Sequence, residues 1–133
     1  MLLNSLESLK INSTPQTPEI NFDLSTGVFL FSGVSVPENS LEFYSPIIKW
    51  LKNYSKMPSK NTQLIFKLTY VNTSSLQYIY DLLMVLDVVH CKTSIINIIW
   101  NYTEDDIDMK EMGEDLKEAL NADFSCVEAE TVD

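Results

Sequence analysis

Arginine is absent from this sequence of 133 residues, and its nine basic side chains are all lysines. Lysine lacks the planar guanidinium fork that binds phosphate or guanine through two parallel hydrogen bonds. The formal net charge of −10 also repels polyanions. Together these features argue against DNA or RNA binding.

Glycine and cysteine are also scarce. Gly27, Gly33 and Gly113 are the only glycines, and their spacing forms neither a P-loop nor a dinucleotide-binding loop. Cys91 and Cys126 are too few for a disulfide framework or a metal-binding knuckle. We therefore expect both cysteines to be reduced thiols in the core.

No residue pattern indicates catalysis. The single histidine, His90, precedes Cys91, and adjacent side chains on a helix point in different directions, so we predict a capping or core role for His90. Asp105, Asp106 and Asp108 lack the glycine and the distal glutamate of a calcium loop and are better explained as acids at a helix start. The sequence predicts no catalytic residue, no metal and no cofactor.

The sequence contains no apolar run long enough to span a membrane, and its first residues do not resemble a secretion signal. Apolar residues make up 45% of the chain and charged residues 21%, which is typical of a globular protein. We therefore expect a soluble, cytoplasmic protein with a single domain over residues 1–133.

The negative charge is concentrated at the carboxyl end of the chain. Residues 1–103 contain seven lysines and seven acids, whereas residues 104–133 contain two lysines and twelve acids, which accounts for the whole excess. Such a segment is explained most simply as a solvated surface, and a docking surface for a basic partner is the alternative.

Strand and helix patterns alternate along the chain. Strands are predicted over residues 19–23, 28–32, 62–70, 94–102 and 124–129. Helices are predicted between residues 36 and 54, over 74–89 and over 107–120. Residues 1–17 are expected to be irregular apart from an extra short strand at 9–11, and residues 104–133 to form an acidic helix and an edge strand. This order predicts an α/β domain with a mostly parallel mixed sheet, an N-terminal β-hairpin and about three helices.

Turn and capping residues refine the first half of this prediction. In the hairpin, Gly27 provides the positive φ that a tight turn needs. Asn39 and Glu42 fit the capping box of the first helix, although Ser35 and Glu38 fit the same pattern one turn earlier. The proline of the segment YSPII either kinks this helix or lies in its first turn.

Two further predictions concern burial. Alternation in the strand over 62–70 predicts that Leu64, Phe66, Leu68 and Tyr70 share the buried face. The helix over 74–89 is apolar on nearly every side and should be mostly buried. Its two acids, Asp81 and Asp87, are expected to mark its one solvated face.

The loops that leave parallel strands at their carboxyl ends meet at one edge of a sheet, where ligands and partners usually dock. Three loops are predicted there: GVSVPENS, YVNTSS and NYTEDD. In the second loop, Asn72 is followed by Thr73, Ser74 and Ser75 at the start of a helix. Asn72 or Thr73 can cap this helix. A phosphorylation switch is the alternative, because a phosphate here would meet free N–H groups and the positive end of the helix dipole.

The chain resembles the SiaC family of bacterial regulatory phosphoproteins, whose fold is similar to the STAS domains of anti-sigma factor antagonists. The similarity is carried by the segments NSTPQTPEI, SGVSVPENSLEFYSPIIKWL and KLTYVNTSSLQYIYDLL. Within them, PENS, an aromatic-rich first helix and Y-x-N-T-S-S are the distinctive features. The resemblance implies a STAS-like single domain.

The resemblance also implies a function. In that family a kinase phosphorylates the threonine of the N-T-S-S motif, which is Thr73 here, and a metal-dependent serine/threonine phosphatase removes the phosphate. The unphosphorylated form binds and activates a diguanylate cyclase, which raises cyclic-di-GMP and favours aggregation or biofilm growth. A non-enzymatic partner-switching regulator is therefore expected, with Ser74 or Ser75 as alternative phosphorylation sites.

The loops that precede the first and second helices, GVSVPENS and YVNTSS, should both contribute to partner binding. The predicted partner surface comprises Asn72, Ser74 and Ser75 together with Pro37, Glu38, Asn39 and Ser40. Two alternatives remain open. One is a constitutive adaptor or an anti-sigma factor antagonist with a different output partner, and the other is a small enzyme.

Overall fold

Within residues 6–132, six strands form one mixed sheet whose spatial order follows the sequence from β1 to β6. The computed structural model describes residues 6–132, so residues 1–5 and 133 of the predicted domain lie outside the described part. The strands are β1 (Leu9–Ile11), β2 (Glu19–Asp23), β3 (Val28–Ser35), β4 (Asn61–Val71), β5 (Ile95–Thr103) and β6 (Asp123–Ala129). The helices are α1 (Ser40–Ser55), α2 (Thr73–Asp87) and α3 (Ile107–Ala119).

The sheet combines an antiparallel half with a parallel half. Strands β1, β2 and β3 pair antiparallel, whereas β3 to β6 pair parallel and are joined by the three helices. Crossovers between parallel strands are almost always right-handed, and crossovers of one hand that advance in one direction place their helices on the same face of the sheet. The predicted α/β class, the N-terminal hairpin, the short first strand and the three helices are all confirmed.

Aromatic side chains form the centre of the core between the sheet and the helices. Phe31 and Phe66 stack with ring centroids 4.2 Å apart, and Phe66 contacts Trp100 at 5.1 Å. The Trp100 indole N–H donates to the Met109 carbonyl at 2.9 Å. This bond satisfies the buried polar atom of a large apolar side chain and holds α3 against β5.

The turn between β2 and β3 requires a glycine. Gly27 has φ +74°, and a Cβ atom there would lie 2.7 Å from the carbonyl oxygen of Asn61. Glycine therefore removes two penalties at once, because it accepts the left-handed conformation and allows β4 to approach the turn.

Helix α1 begins at Ser40, and Asn39 is its N-cap, whose side chain accepts the Glu42 N–H at 3.0 Å. The alternative capping pair, Ser35 and Glu38, was wrong because Ser35 is the last residue of β3 and its side chain is buried. A start at the proline was also wrong, since Pro46 lies inside the helix. Pro46 is solvent-exposed, where water can satisfy the carbonyl that its missing N–H leaves free.

A β-bulge changes the burial of the end of β4. Gly33 pairs with Leu68, but Val34 pairs with Tyr70, so Thr69 is an extra residue in the ladder. The inward orientation predicted for Tyr70 was therefore wrong, and its side chain is 59% exposed. Val71 is buried in its place and connects the strand to the loop before α2.

The expectation that Asp87 marks a solvated face was wrong. Its carboxylate is buried and accepts the backbone N–H groups of Asn121 at 2.9 Å and Ala122 at 2.7 Å. These bonds give hydrogen-bond partners both to the backbone N–H groups of the loop between α3 and β6 and to the buried carboxylate. This explains why Asp87 can be buried at the end of an apolar helix. Asp81 lies at a half-buried position and accepts the side-chain N–H of Gln77 at 3.0 Å.

The turn after α2 places the histidine and one cysteine. The His90 Nδ1 atom accepts the Ile96 N–H at 3.0 Å, which confirms a structural role. The core position predicted for Cys91 was wrong, because this residue is exposed and has φ +64° in the turn. Cys126 is half-buried, and this burial raises the pKa of its thiol.

Among residues 6–132, no helix is long and apolar enough to cross a membrane.

Candidate phosphorylation site

Three helices begin at the edge of the sheet formed by the carboxyl ends of β3, β4 and β5. Each helix has a side-chain N-cap, provided by Asn39, Asn72 and Asp106. The first two helix starts are in direct contact, because the hydroxyl oxygens of Ser40 and Ser74 are 2.6 Å apart. The structure therefore brings the PENS and NTSS loops together at one edge.

The hydroxyl residues at the start of α2 point in three directions, since consecutive helical residues are rotated by about 100°. Ser75 is buried in the core, Ser74 contacts the start of α1, and Thr73 lies on the side of α3. The cap itself comes from Asn72, whose side chain accepts the Ser75 N–H at 2.9 Å. Capping thus requires none of the three hydroxyls.

Ser75 belongs to a buried chain of hydroxyl groups. The Ser35 hydroxyl donates to Ser75 Oγ at 2.8 Å and lies 2.6 Å from the Tyr44 hydroxyl. Ser75 in turn donates to the Ser35 carbonyl at 3.1 Å. Burial raises the pKa of the Tyr44 phenol, so this group remains a neutral hydrogen-bonding partner. This chain of hydroxyl groups fixes the start of α2 against β3 and α1.

We predict that Ser35→Ala lowers the free energy of unfolding by about 1–3 kcal/mol, because the buried hydroxyls of Tyr44 and Ser75 each lose a partner. Urea unfolding followed by circular dichroism measures this change. The exposed Ser74→Ala is the matched control and should change stability by less than about 0.5 kcal/mol. Equal effects of the two variants would contradict a structural role for the buried chain.

Thr73 is exposed at the first position of α2. It lines an open depression of about 480 Å³ whose other polar walls include four acids of α3 and its cap, Asp106, Asp108, Glu111 and Asp115. The depression contains no lysine, so the surroundings of the Thr73 hydroxyl are acidic. A phosphate on this hydroxyl would combine favourable contact with the helix amino terminus and repulsion from α3.

Two residues of the predicted partner surface are buried in the structure. Ser75 is fully buried in the hydroxyl chain, and the Pro37 side chain lies in the interior where the loop enters α1. Neither side chain is available to a partner in this conformation. The other predicted surface residues are at least partly exposed at the edge, namely Glu38, Asn39, Ser40, Asn72 and Ser74.

Sequence patterns did not identify a groove beside Thr73. Helices α2 and α3 leave between them an apolar groove of about 340 Å³, lined by Thr73, Leu76, Gln77, Tyr80, Met112, Asp115, Leu116 and Ala119. One available signal was that α2 carries more apolar residues than a single buried face requires.

Among the described residues 6–132, no cluster of three or more His, Cys, Asp or Glu residues is arranged to hold a metal.

The fold is a small α/β domain with three hydroxyl residues at the start of α2, on the edge where its helices begin. The family model described as SiaC family regulatory phosphoprotein matches residues 11–129. The chain therefore belongs to the SiaC family, as the PENS and N-T-S-S segments had indicated.

Relatives from Pseudomonas aeruginosa match nearly the whole chain. An uncharacterized protein of that species is 28% identical over 120 residues, which cover 90% of this chain and 95% of the relative. The crystal structure of apo-SiaC is 29% identical, with a TM-score of 0.81 and coverage of 90% of this chain and 98% of that chain. A crystal structure of the diguanylate cyclase SiaD in complex with its activator SiaC matches with 28% identity, a TM-score of 0.84 and coverage of 91% and 99%.

Proposed function

We propose that this chain is a non-enzymatic, cytoplasmic partner-switching protein that binds and activates a diguanylate cyclase when Thr73 is unmodified. A cognate kinase phosphorylates Thr73, and a metal-dependent serine/threonine phosphatase restores the free hydroxyl. The output is a change in cyclic-di-GMP, with aggregation or biofilm growth as its consequence.

The observation that carries this proposal is the different environment of the three hydroxyls. Ser75 is buried and hydrogen-bonded within the core, and Ser74 is hydrogen-bonded to Ser40. Thr73 is exposed at the edge where three helices begin, so a kinase can reach it without unfolding α2. The choice of a cyclase as output partner is supported by the similarity to SiaC, which is the activator of SiaD in their complex.

A modification assay tests the proposed site. We predict that incubation with the cognate kinase and ATP adds the mass of one phosphate to the wild-type chain and to Ser74→Ala, but not to Thr73→Ala. The stability of all three proteins should be similar because both side chains are exposed. The phosphatase should remove this mass only when its divalent metal is supplied.

Other results of that assay, and of capture experiments with the phosphorylated and unmodified chain, favour other functions. A phosphate that persists in Thr73→Ala and disappears in Ser74→Ala would move the switch to Ser74. A chain that captures the same partner with equal affinity in all phosphorylation states would be a constitutive adaptor. Capture of an anti-sigma factor instead of a cyclase would identify an anti-sigma factor antagonist.

A further inference from the structure

Ser40, the first residue of α1, holds the hydroxyl next to the proposed phosphorylation site. Its Oγ atom lies 2.6 Å from Ser74 Oγ. Ser74 donates its own proton to the side-chain oxygen of Asn72 at 3.3 Å, and the same oxygen accepts the Ser75 N–H as the helix cap. A hydroxyl has only one proton, so the hydrogen between the two serines comes from Ser40. Ser74 Oγ therefore donates to one partner and accepts from another.

The Thr73 hydroxyl has a different environment. Thr73 lines the open depression beside α3, and within residues 6–132 its hydroxyl makes no hydrogen bond. Thr73 and Ser74 are both exposed residues, so the difference between them lies in hydrogen bonding and not in exposure. Accessibility alone does not explain why a kinase would choose one of two adjacent hydroxyls.

Phosphoryl transfer needs both parts of the hydroxyl that Ser74 already uses. In transfer from ATP, the hydroxyl oxygen uses a lone pair to form a bond with the γ-phosphorus, and its proton passes to a base of the kinase. The bond between the γ-phosphorus and the bridging β–γ oxygen breaks, and ADP leaves with that electron pair. Ser74 must first release the Ser40 donor and turn its proton away from Asn72. Each of these hydrogen bonds corresponds to a roughly two- to tenfold slower reaction.

We propose that Ser40 is a specificity-determining residue for the phosphorylation, because its hydrogen bond withholds the Ser74 hydroxyl from the kinase and leaves Thr73 as the acceptor. This inference rests on the proposed function and assigns the last residue of the PENS loop a part in choosing the modified atom. Ser40 acts through Ser74, so it is a positioning residue and not a catalytic one.

The two sites also differ in what a phosphate would disturb. Ser74 joins α2 to the first residue of α1, so a phosphate there would break the contact between the two helix starts. A phosphate on Thr73 would extend into the open depression and leave this contact in place. Directing the kinase to Thr73 therefore keeps the PENS and NTSS loops together in both forms of the chain.

The ratio of phosphate on Ser74 to phosphate on Thr73 tests this proposal. With the cognate kinase and ATP, Ser40→Ala should raise the ratio of the two initial rates by about two- to tenfold, because Ser74 regains a free lone pair. Both sites are in the same molecule, so a change in affinity for the kinase affects them equally and cancels in the ratio. Fragmentation mass spectrometry of the phosphopeptide distinguishes the two adjacent residues.

Two control variants separate this contact from a general effect on α1. Ser40→Thr retains a hydroxyl donor at the same position and should keep the wild-type ratio. Ser45→Ala removes an exposed serine hydroxyl from the same helix, more than one turn beyond Ser40, and should keep it as well. Thermal melting of each variant verifies that the fold is intact.

The possible failures are distinguishable. An unchanged ratio in Ser40→Ala, or an equal rise in Ser45→Ala, would overturn the role of Ser40 and leave Thr73 as the switch. Phosphate on neither hydroxyl of the wild-type chain would overturn the proposed function and this inference with it.

Discussion

Phosphorylation of Thr73 is expected to lower the affinity for the cyclase by more than about a hundredfold, which corresponds to several kcal/mol of binding free energy. The physical reason is that a doubly charged group would be enclosed against a surface shaped for a neutral hydroxyl. The fold should tolerate the same group, because free N–H groups and the dipole of α2 stabilise an anion there by about 0.3–2 kcal/mol. Calorimetric titration and thermal melting of both forms measure the two effects separately.

Substitutions at Thr73 sharpen this test. Thr73→Ala should bind the cyclase like the unmodified chain but lose regulation by the kinase. Thr73→Asp should reproduce only part of the effect, since a carboxylate has less charge and fewer oxygens than a phosphate. Equal affinities for the phosphorylated and unphosphorylated chain would refute the switch. A large fall in melting temperature would show that repulsion from the acids of α3 acts on the fold instead.

Gly113→Ala is expected to destabilise the domain by about 1–3 kcal/mol, although alanine is normally the better helix former by about 1 kcal/mol. A Cβ atom at Gly113 would lie 2.5 Å from Trp100 Cδ1 and 3.0 Å from Cys126 Sγ. The indole cannot move freely, because its N–H is bound to the Met109 carbonyl. The added methyl group must therefore push α3 away from β5 and β6.

Chemical denaturation at equilibrium measures the effect of Gly113→Ala. The control is Glu118→Ala on the same helix, which replaces an exposed side chain and should leave the free energy of unfolding within about 0.5 kcal/mol. An increase in stability for Gly113→Ala would mean that helix propensity outweighs the contact with Trp100.

The order of strands and helices could be predicted because it depends on local patterns. Apolar alternation and helical spacing are visible within one segment. Helix caps are local as well, because each cap side chain accepts the N–H group of the residue three positions later, as it does at Asn39, Asn72 and Asp106. Family resemblance then indicated the two loops of the edge. Their contact follows from parallel strand order, which places successive loops side by side.

The errors arose where distant residues decide the outcome. The exposure of Tyr70 depends on a bulge in its pairing with β3, and a bulge is a property of two strands. Asp87 is buried because it accepts N–H groups from residues 34 and 35 positions later in the chain. The direction of each hydroxyl in Thr73, Ser74 and Ser75 likewise depends on the partner that a neighbouring element presents. No local pattern contains this information.

The strand order has a consequence for how the chain folds during synthesis. In the described part of the chain, every strand pairs only with its neighbours in the sequence, from β1 to β6. As the chain leaves the ribosome, β4, β5 and β6 can each be added to the side of a sheet that already contains the preceding strands. No strand has to enter between two that are already paired. On that growing side, only the newest strand presents unpaired backbone groups until the next strand arrives.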